Sequence, residues 1–198
     1  MAITIVKPEE AMASDARERM IKGAVQLLAR RGLQATSFSE VLALTGAPRG
    51  SVYHHFPEGK EQLVAAAIEM VSAQSLRLIE GKEGARADEV AKLFLHMWRE
   101  LLTRSHLEAG CSVVAVTVAA DSPELLKQAG GVFRSWRKRL AELLAKGGLS
   151  AKDANRFAAT LLAASEGAVV LCRAEQSLEP LELVSEQILE QIRKALGK

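Results

Sequence analysis

The stretch Phe38–Lys60, FSEVLALTGAPRGSVYHHFPEGK, decides how the rest of the chain reads. SEVLALT is short and its Val41, Leu42 and Leu44 suit the inner side of a helix; Gly46-Ala47-Pro48 then breaks it, and Arg49-Gly50-Ser51-Val52-Tyr53-His54-His55-Phe56 begins another. Pro48 is tolerated in a first helical turn because the N–H it lacks would have had no partner there. With the longer helix upstream, the spacing predicts two short helices joined by a tight glycine-containing turn, a helix-turn-helix. Val52 and Phe56 share the side predicted to be buried, which leaves Arg49, Ser51, Tyr53 and His54 to project outward.

Upstream, Ser14 is placed to cap a helix from about Asp15 to Arg31, whose Ile21, Ala24, Val25 and Leu28 follow 3.6-residue spacing and whose end is marked by Gly32. Residues 1–13 read as a disordered leader without the features of a secretory signal. Ser37 or Ser39 caps the next helix. Downstream, a long helix is expected from about Gly59 to Ile79, and then helices near 87–105, 111–120, 123–146, 151–175 and 180–196, divided by Gly-, Pro- and Ser-containing breaks. Ser112–Val118 alternates with period two, but its surroundings favour a buried helix. The expected division is 14–60 for the head and 61–198 for a helical body.

Composition agrees with an all-α globular protein: 198 residues, 48% hydrophobic yet only 4% aromatic, the apolar share falling on Ala, Leu and Val. A net charge of +2 is too small to indicate nucleic acid, so any such argument rests on local arrangement. Cys111 and Cys172 stand far apart with no metal-ligand spacing, which makes a reducing cytoplasm the default. The longest apolar run, Val113–Ala120, contains Thr117 and is under half a bilayer span.

The segment ARERMIKGAVQLLARRGLQATSFSEVLALTGAPRGSVYHHFPEGKEQLV carries a pattern over about fifty residues. It comprises Arg17, Ala24, Leu28, Gly32, Thr36-Ser37, Gly46, Gly50-Ser51-Val52-Tyr53-His54-His55-Phe56 and Lys60-Glu61-Gln62-Leu63. It closely resembles the DNA-binding domain of TetR-family transcriptional regulators. Two departures stand out. Pro48 replaces the family's usual hydroxyl residue, and Pro57-Glu58-Gly59 lengthens the step from Phe to Lys. The second, with Ala109-Gly110-Cys111, is similar to the LmrA/YxaF-type subgroup. The resemblance implies a ligand-responsive repressor that binds a palindromic operator as a homodimer and is released by a small apolar or amphipathic molecule, with no cofactor and no membrane partner.

A recognition helix offers its first residues to base edges while its neighbours hold the backbone. Arg49 suits base reading, since a guanidinium donates two bonds to guanine O6 and N7, worth about 1–3 kcal/mol in discrimination. Gly50 permits close backbone approach, and Thr36, Ser37, Ser51, Tyr53, His54 and Lys60 are the candidate phosphate-side contacts.

The resemblance further implies a small-molecule pocket and a dimer interface in the C-terminal half. Phe94, Met97, Trp98 and Leu101 lie along one helical face and Phe133, Trp136 and Leu140 along another, with Thr117 among the polar side chains available to fix a ligand. The same stripes also suit plain core. For the interface, Phe157, Leu161, Ala164, Ser165, Ala168 and Leu171 on one helix and Leu181, Val184, Ile188 and Ile192 on the last give a two-helix surface able to form a four-helix bundle with a symmetry mate, the alternative being packing within the chain. Gly167 inside the helical run fits close approach of another helix.

Rival readings are weaker. His54 and His55 point about 100° apart with no third ligand near, so no metal site is expected. Ala163-Ala164-Ser165-Glu166-Gly167 lacks the first glycine and the strand-to-helix context of a nucleophile elbow, and Gly59-Lys60 is not a phosphate-binding loop, so the chain is not read as an enzyme. Cys111, at an expected helix start, admits a redox-sensor reading against the plainer one of an inert buried thiol.

Overall fold

The computed structural model describes residues 8–81 and 83–197, with side-chain environments from residue 15 onward. In chain order the helices are α1 (Pro8–Arg31), α2 (Phe38–Thr45), α3 (Arg49–His55), α4 (Lys60–Glu80), α5 (Ala87–Arg104), α6 (Ser112–Ala119), α7 (Pro123–Lys146), α8 (Ala151–Glu175) and α9 (Glu179–Leu196), with no strand among the described residues. The all-helical reading therefore holds, including Ser112–Val118.

Most helix ends follow local chemistry. Ser37, Ser122 and Ser150 each accept a backbone N–H at the start of α2, α7 and α8, and Pro123 occupies the first turn of α7. Gly46, at φ 64°, closes α2 with its N–H on the Leu42 carbonyl. The first helix corrects the expectation for its start. It begins at Pro8, so Ser14 lies inside it and residues 8–13, expected to be disordered, are helical; residues 1–7 lie outside the described ones. Glu9 to Ala13 are good helix formers and proline suits a first turn, which lets the helix continue upstream of the serine.

The head is α1 to α3 packed on the start of α4. Met20, Ala24, Leu28, Val41, Val52, Phe56, Leu63 and Val64 close over one another almost completely. A fully buried side chain of this kind contributes about 1.5–3 kcal/mol, so the two short helices are held by their undersides rather than by their own hydrogen bonds. The body is built on the hairpin α7–α8, joined through Gly147–Ser150, with α9 against α8 and α5 and with α5 against α7. α4 packs on α1 at one end and on α7 in the body, where Gln128 Nε2 donates to the Ala65 carbonyl at 3.2 Å. A second bridge runs from α1: Gly110 N–H donates to Ala29 O at 2.8 Å, and Arg173 donates to Arg30 O at 3.2 Å.

α8 departs from the expectation about apolar length. Its composition gives a window of mean hydropathy 1.4, enough by length and composition to cross a bilayer, because alanine accumulates hydropathy without a long uninterrupted apolar run. Here its Ala158, Leu161, Ala168, Val169 and Cys172 are buried within the helical body, where α8 packs on α7 and α9.

Candidate nucleic-acid interface

α3 is positioned by two anchors, Val52 at 1% and Phe56 at 0% exposure. Its first turn has no side-chain cap, since Pro48 stands there; instead Ser51 returns both its N–H (3.0 Å) and its hydroxyl (2.6 Å) to the Pro48 carbonyl. The outer face then carries Arg49, Gly50, Tyr53 and His54, all exposed. Tyr53 is 73% exposed, and its ring stands edge-on to Phe38 at 6.1 Å, which steadies the phenol without covering its hydroxyl. His55, beside it, is half-buried. Desolvation, and then the neighbouring His54 and Arg17, push its pKa down, so the neutral imidazole is favoured there.

The other expected contacts divide. Ser37 sits at the start of α2, where its hydroxyl accepts from Glu40 N–H at 3.2 Å and lies 2.8 Å from Ser39 Oγ. Lys60 opens α4 half-buried, with Nζ donating to Leu33 O at 2.7 Å. Thr36 is a correction: it is fully buried and its hydroxyl donates to Gly32 O at 2.8 Å, so it closes the turn after α1 instead of facing outward. A threonine four residues after a helix-ending glycine satisfies a carbonyl that the helix leaves open. Ser39 and Phe38 are the residues that motif reading passed over in this face. Ser39 is exposed and hydrogen-bonds the hydroxyl of the capping Ser37, and Phe38 supports Tyr53. Alternation of Ser and aromatic residues around the cap was the available signal.

In the body, Phe94, Trp98, Trp136 and Leu140 are core, Met97, Leu101 and Phe133 are half-buried, and Thr117 is exposed with its hydroxyl turned back to Val113 O at 2.8 Å. Phe94–Trp98 and Phe133–Trp136 pack edge to face at 6.4 and 5.9 Å. Both indole N–H groups are buried without a partner. None of these eight residues lines the cleft of about 670 Å³ between α5 and α9 or the one of about 400 Å³ where α1 meets α6 and α8. Their apolar stripes are satisfied by neighbouring helices.

Six of the ten expected interface residues are corrected. Leu161, Ser165, Ala168, Leu181, Ile188 and Ile192 are buried within the chain, while Phe157, Ala164 and Val184 are half-buried and Leu171 is 49% exposed. The period-3.6 stripe on α8 and α9 is their seam with each other and with α5 and α7. The free face of α8 lies beside that seam, with Ala159, Thr160, Ala163, Gly167 and Leu171 exposed. A Cβ added at Gly167 would meet nothing within 4 Å.

Cys111 caps α6 through Sγ, which accepts from Val114 N–H at 3.5 Å, and burial pushes its thiol pKa well above the usual range. A thiol held protonated and enclosed is a poor nucleophile, which counts against the redox reading. No cluster of three or more His, Cys, Asp or Glu side chains suited to a metal occurs among the described residues.

Comparison with known proteins agrees with this geometry. The profile of bacterial regulatory proteins of the tetR family matches residues 20–67, and that of the C-terminal domain of LmrA/YxaF-like transcriptional regulators matches 87–187. An uncharacterized HTH-type transcriptional regulator of Mycobacterium tuberculosis is 33% identical over 179 residues, covering 87% of this chain and 91% of that one. The uncharacterized HTH-type regulator YxaF of Bacillus subtilis is 29% identical, covering 91% and 96%. The crystal structure of a regulatory protein TetR from Rhodobacter sphaeroides superposes with a TM-score of 0.79 at 25% identity, covering 88% of this chain and 97% of the other.

Proposed function

Since the chain belongs to the TetR family of transcriptional regulators, we propose that it is a cytoplasmic repressor that binds a palindromic operator as a homodimer and lets go when a small apolar or amphipathic molecule binds its body. The observation that carries this reading is the outer face of α3, where Arg49, Gly50, Tyr53 and His54 are exposed above an underside locked by Val52 and Phe56. Arg49 reads a base edge in the major groove, and Tyr53, His54, Ser37, Ser51 and Lys60 hold phosphates on either side. The free donors of Lys60 remain available because an ammonium has three and one is on Leu33 O.

Two heads reading successive major grooves need a fixed separation of about one helical turn or a multiple of it. The exposed small-residue face of α8, with its neighbour α9, is the surface we assign to that pairing, since Ala159, Ala163 and Gly167 let a second helix approach closely. The ligand lowers operator affinity by its preference for the body conformation in which the heads are wrongly spaced, and α4, which runs from head to body, transmits it. The family and these relatives are transcriptional regulators, not enzymes.

Fluorescence anisotropy on the palindromic segments that flank the gene tests the reading. Binding that falls steeply with salt and saturates at two chains per palindrome is expected. Salt-insensitive binding, or equal affinity for every duplex, would reject it.

A further inference from the structure

We propose that the cavity where α1 meets α6 and α8 binds a small amphipathic amine through the Glu166 carboxylate, and that the head senses its occupancy through α1; the second half rests on the regulator reading above. The cavity holds about 400 Å³, within the range of small-molecule sites, and Leu28, Leu33, Val114, Val118, Val169 and Val170 make it largely aliphatic. Glu166 lies on the same wall of α8 as Val169 and Val170 and is the polar side chain that these surroundings leave unsatisfied. Its Oε1 is buried with no hydrogen-bond partner. Burial raises its pKa from 4.5 to about 7, and no cation is among the causes that act on it.

The guanidiniums that also line the cavity do not fill the gap. Arg30 is paired with Glu108 at 2.6 Å, Arg31 with Glu40 at 2.8 Å, and Arg173 donates to Arg30 O at 3.2 Å and lies against Gly110. The remaining titratable neighbour, Cys111, touches the carboxyl as a protonated thiol, which is a weak donor. A buried carboxylate without a counter-ion gains most from a ligand that brings a cation and an N–H donor together, and the aliphatic walls take the ligand's stem. A carboxylate ligand would meet Glu166 as a like charge, and an alcohol would supply the hydrogen bond without the charge.

The position gives the site a path to the head. Its walls include the last turn of α1, and two of the hydrogen bonds that tie that turn to the body, Gly110 N–H to Ala29 O and Arg173 to Arg30 O, start from residues lining it. α2 and α3 pack on α1, so a stem wedged against Leu28 and Leu33 changes the angle at which the head is carried.

The test is isothermal calorimetry at about pH 8 with hexylammonium, hexanol and hexanoate. Hexylammonium is expected to bind about tenfold or more tighter than the other two, and to lose about tenfold in Glu166→Gln, a near-isosteric change that removes a buried charge and so preserves the fold. Val114→Trp, which fills the cavity, is expected to abolish binding. Equal binding of hexanoate or hexanol, or unchanged binding by Glu166→Gln, overturns the amine site. In the same samples, operator anisotropy is expected to weaken by about fivefold or more on adding hexylammonium. Amine binding with unchanged operator affinity overturns the sensing role. A chain that binds no operator in the absence of amine overturns the regulator reading, and calorimetry still decides the amine site independently.

Discussion

Arg49 and Tyr53 share the outer face of one short helix, and the proposed reading gives them different roles. Replacing Arg49 with Ala is expected to cost about 1–3 kcal/mol on the cognate operator and much less on unrelated duplex, whereas Arg49→Lys retains non-specific affinity and still loses the two-bond contact. Competition anisotropy with cognate and scrambled duplexes separates the two, and equal losses on both would remove Arg49 from base reading. Tyr53→Phe keeps the ring against Phe38 and removes only the hydroxyl, so its loss is expected to be uniform across sequences. Glu166 makes a second residue-scale prediction, about stability. Its pKa is raised from 4.5 to about 7, so the folded chain holds that proton more tightly than the unfolded one; stability is greatest below about pH 4.5 and falls as pH rises through 7. The full difference is at most about 3 kcal/mol. Glu166→Gln is therefore expected to raise the melting temperature more at pH 8 than at pH 5, and an equal shift at both would show that the buried charge is compensated.

At the scale of elements, the breaks between helices are where single atoms decide. A Cβ on Gly147 would lie 2.5 Å from Ala87 N and 2.8 Å from Ala85 O, and backbone cannot swing aside as a side chain does. The Ala87 N–H to Gly147 O bond of 3.0 Å ties the start of α5 to the α7–α8 turn at the same place. Gly147→Ala is expected to cost about 1–3 kcal/mol in urea unfolding, and a neutral result would mean the α4–α5 loop moves freely. Ser37→Ala removes the cap of α2 at about 1 kcal/mol without touching the core. The serine cap of α2 was legible, and the serines that cap α7 and α8 fall in breaks the sequence marked, because a hydroxyl beside an open helix end is a local fact. The start of α1 was not, because Ser14 sits in a segment with helix-forming residues on both sides and a cap is only a preference.

For the whole molecule, the proposed pairing of two chains sets the spacing of the heads. Gly167→Trp on the free face of α8 is expected to leave the fold intact, since nothing lies within 4 Å of a Cβ there, and to convert a dimer to monomers in sedimentation velocity. Operator affinity should then fall by far more than any single phosphate contact accounts for, because a lone head forfeits the second half-site. A Trp variant that still sediments as a dimer would move the interface elsewhere.

What the sequence determined alone was the set of helices and the head. Helix periodicity, serine and glycine at helix ends, and the run from Gly46 to Phe56 are local signals that packing does not reverse. Which apolar stripe faces which neighbour was decided only by the tertiary structure. A period of 3.6 shows that Leu161, Ser165 and Ala168 share a side, and it does so equally for a partner chain and for α9 of the same chain. Thr36 and Glu166 make the same point for polar groups. Whether a hydroxyl or a carboxyl faces solvent, a carbonyl or a cavity depends on residues distant in the chain, and no spacing encodes that.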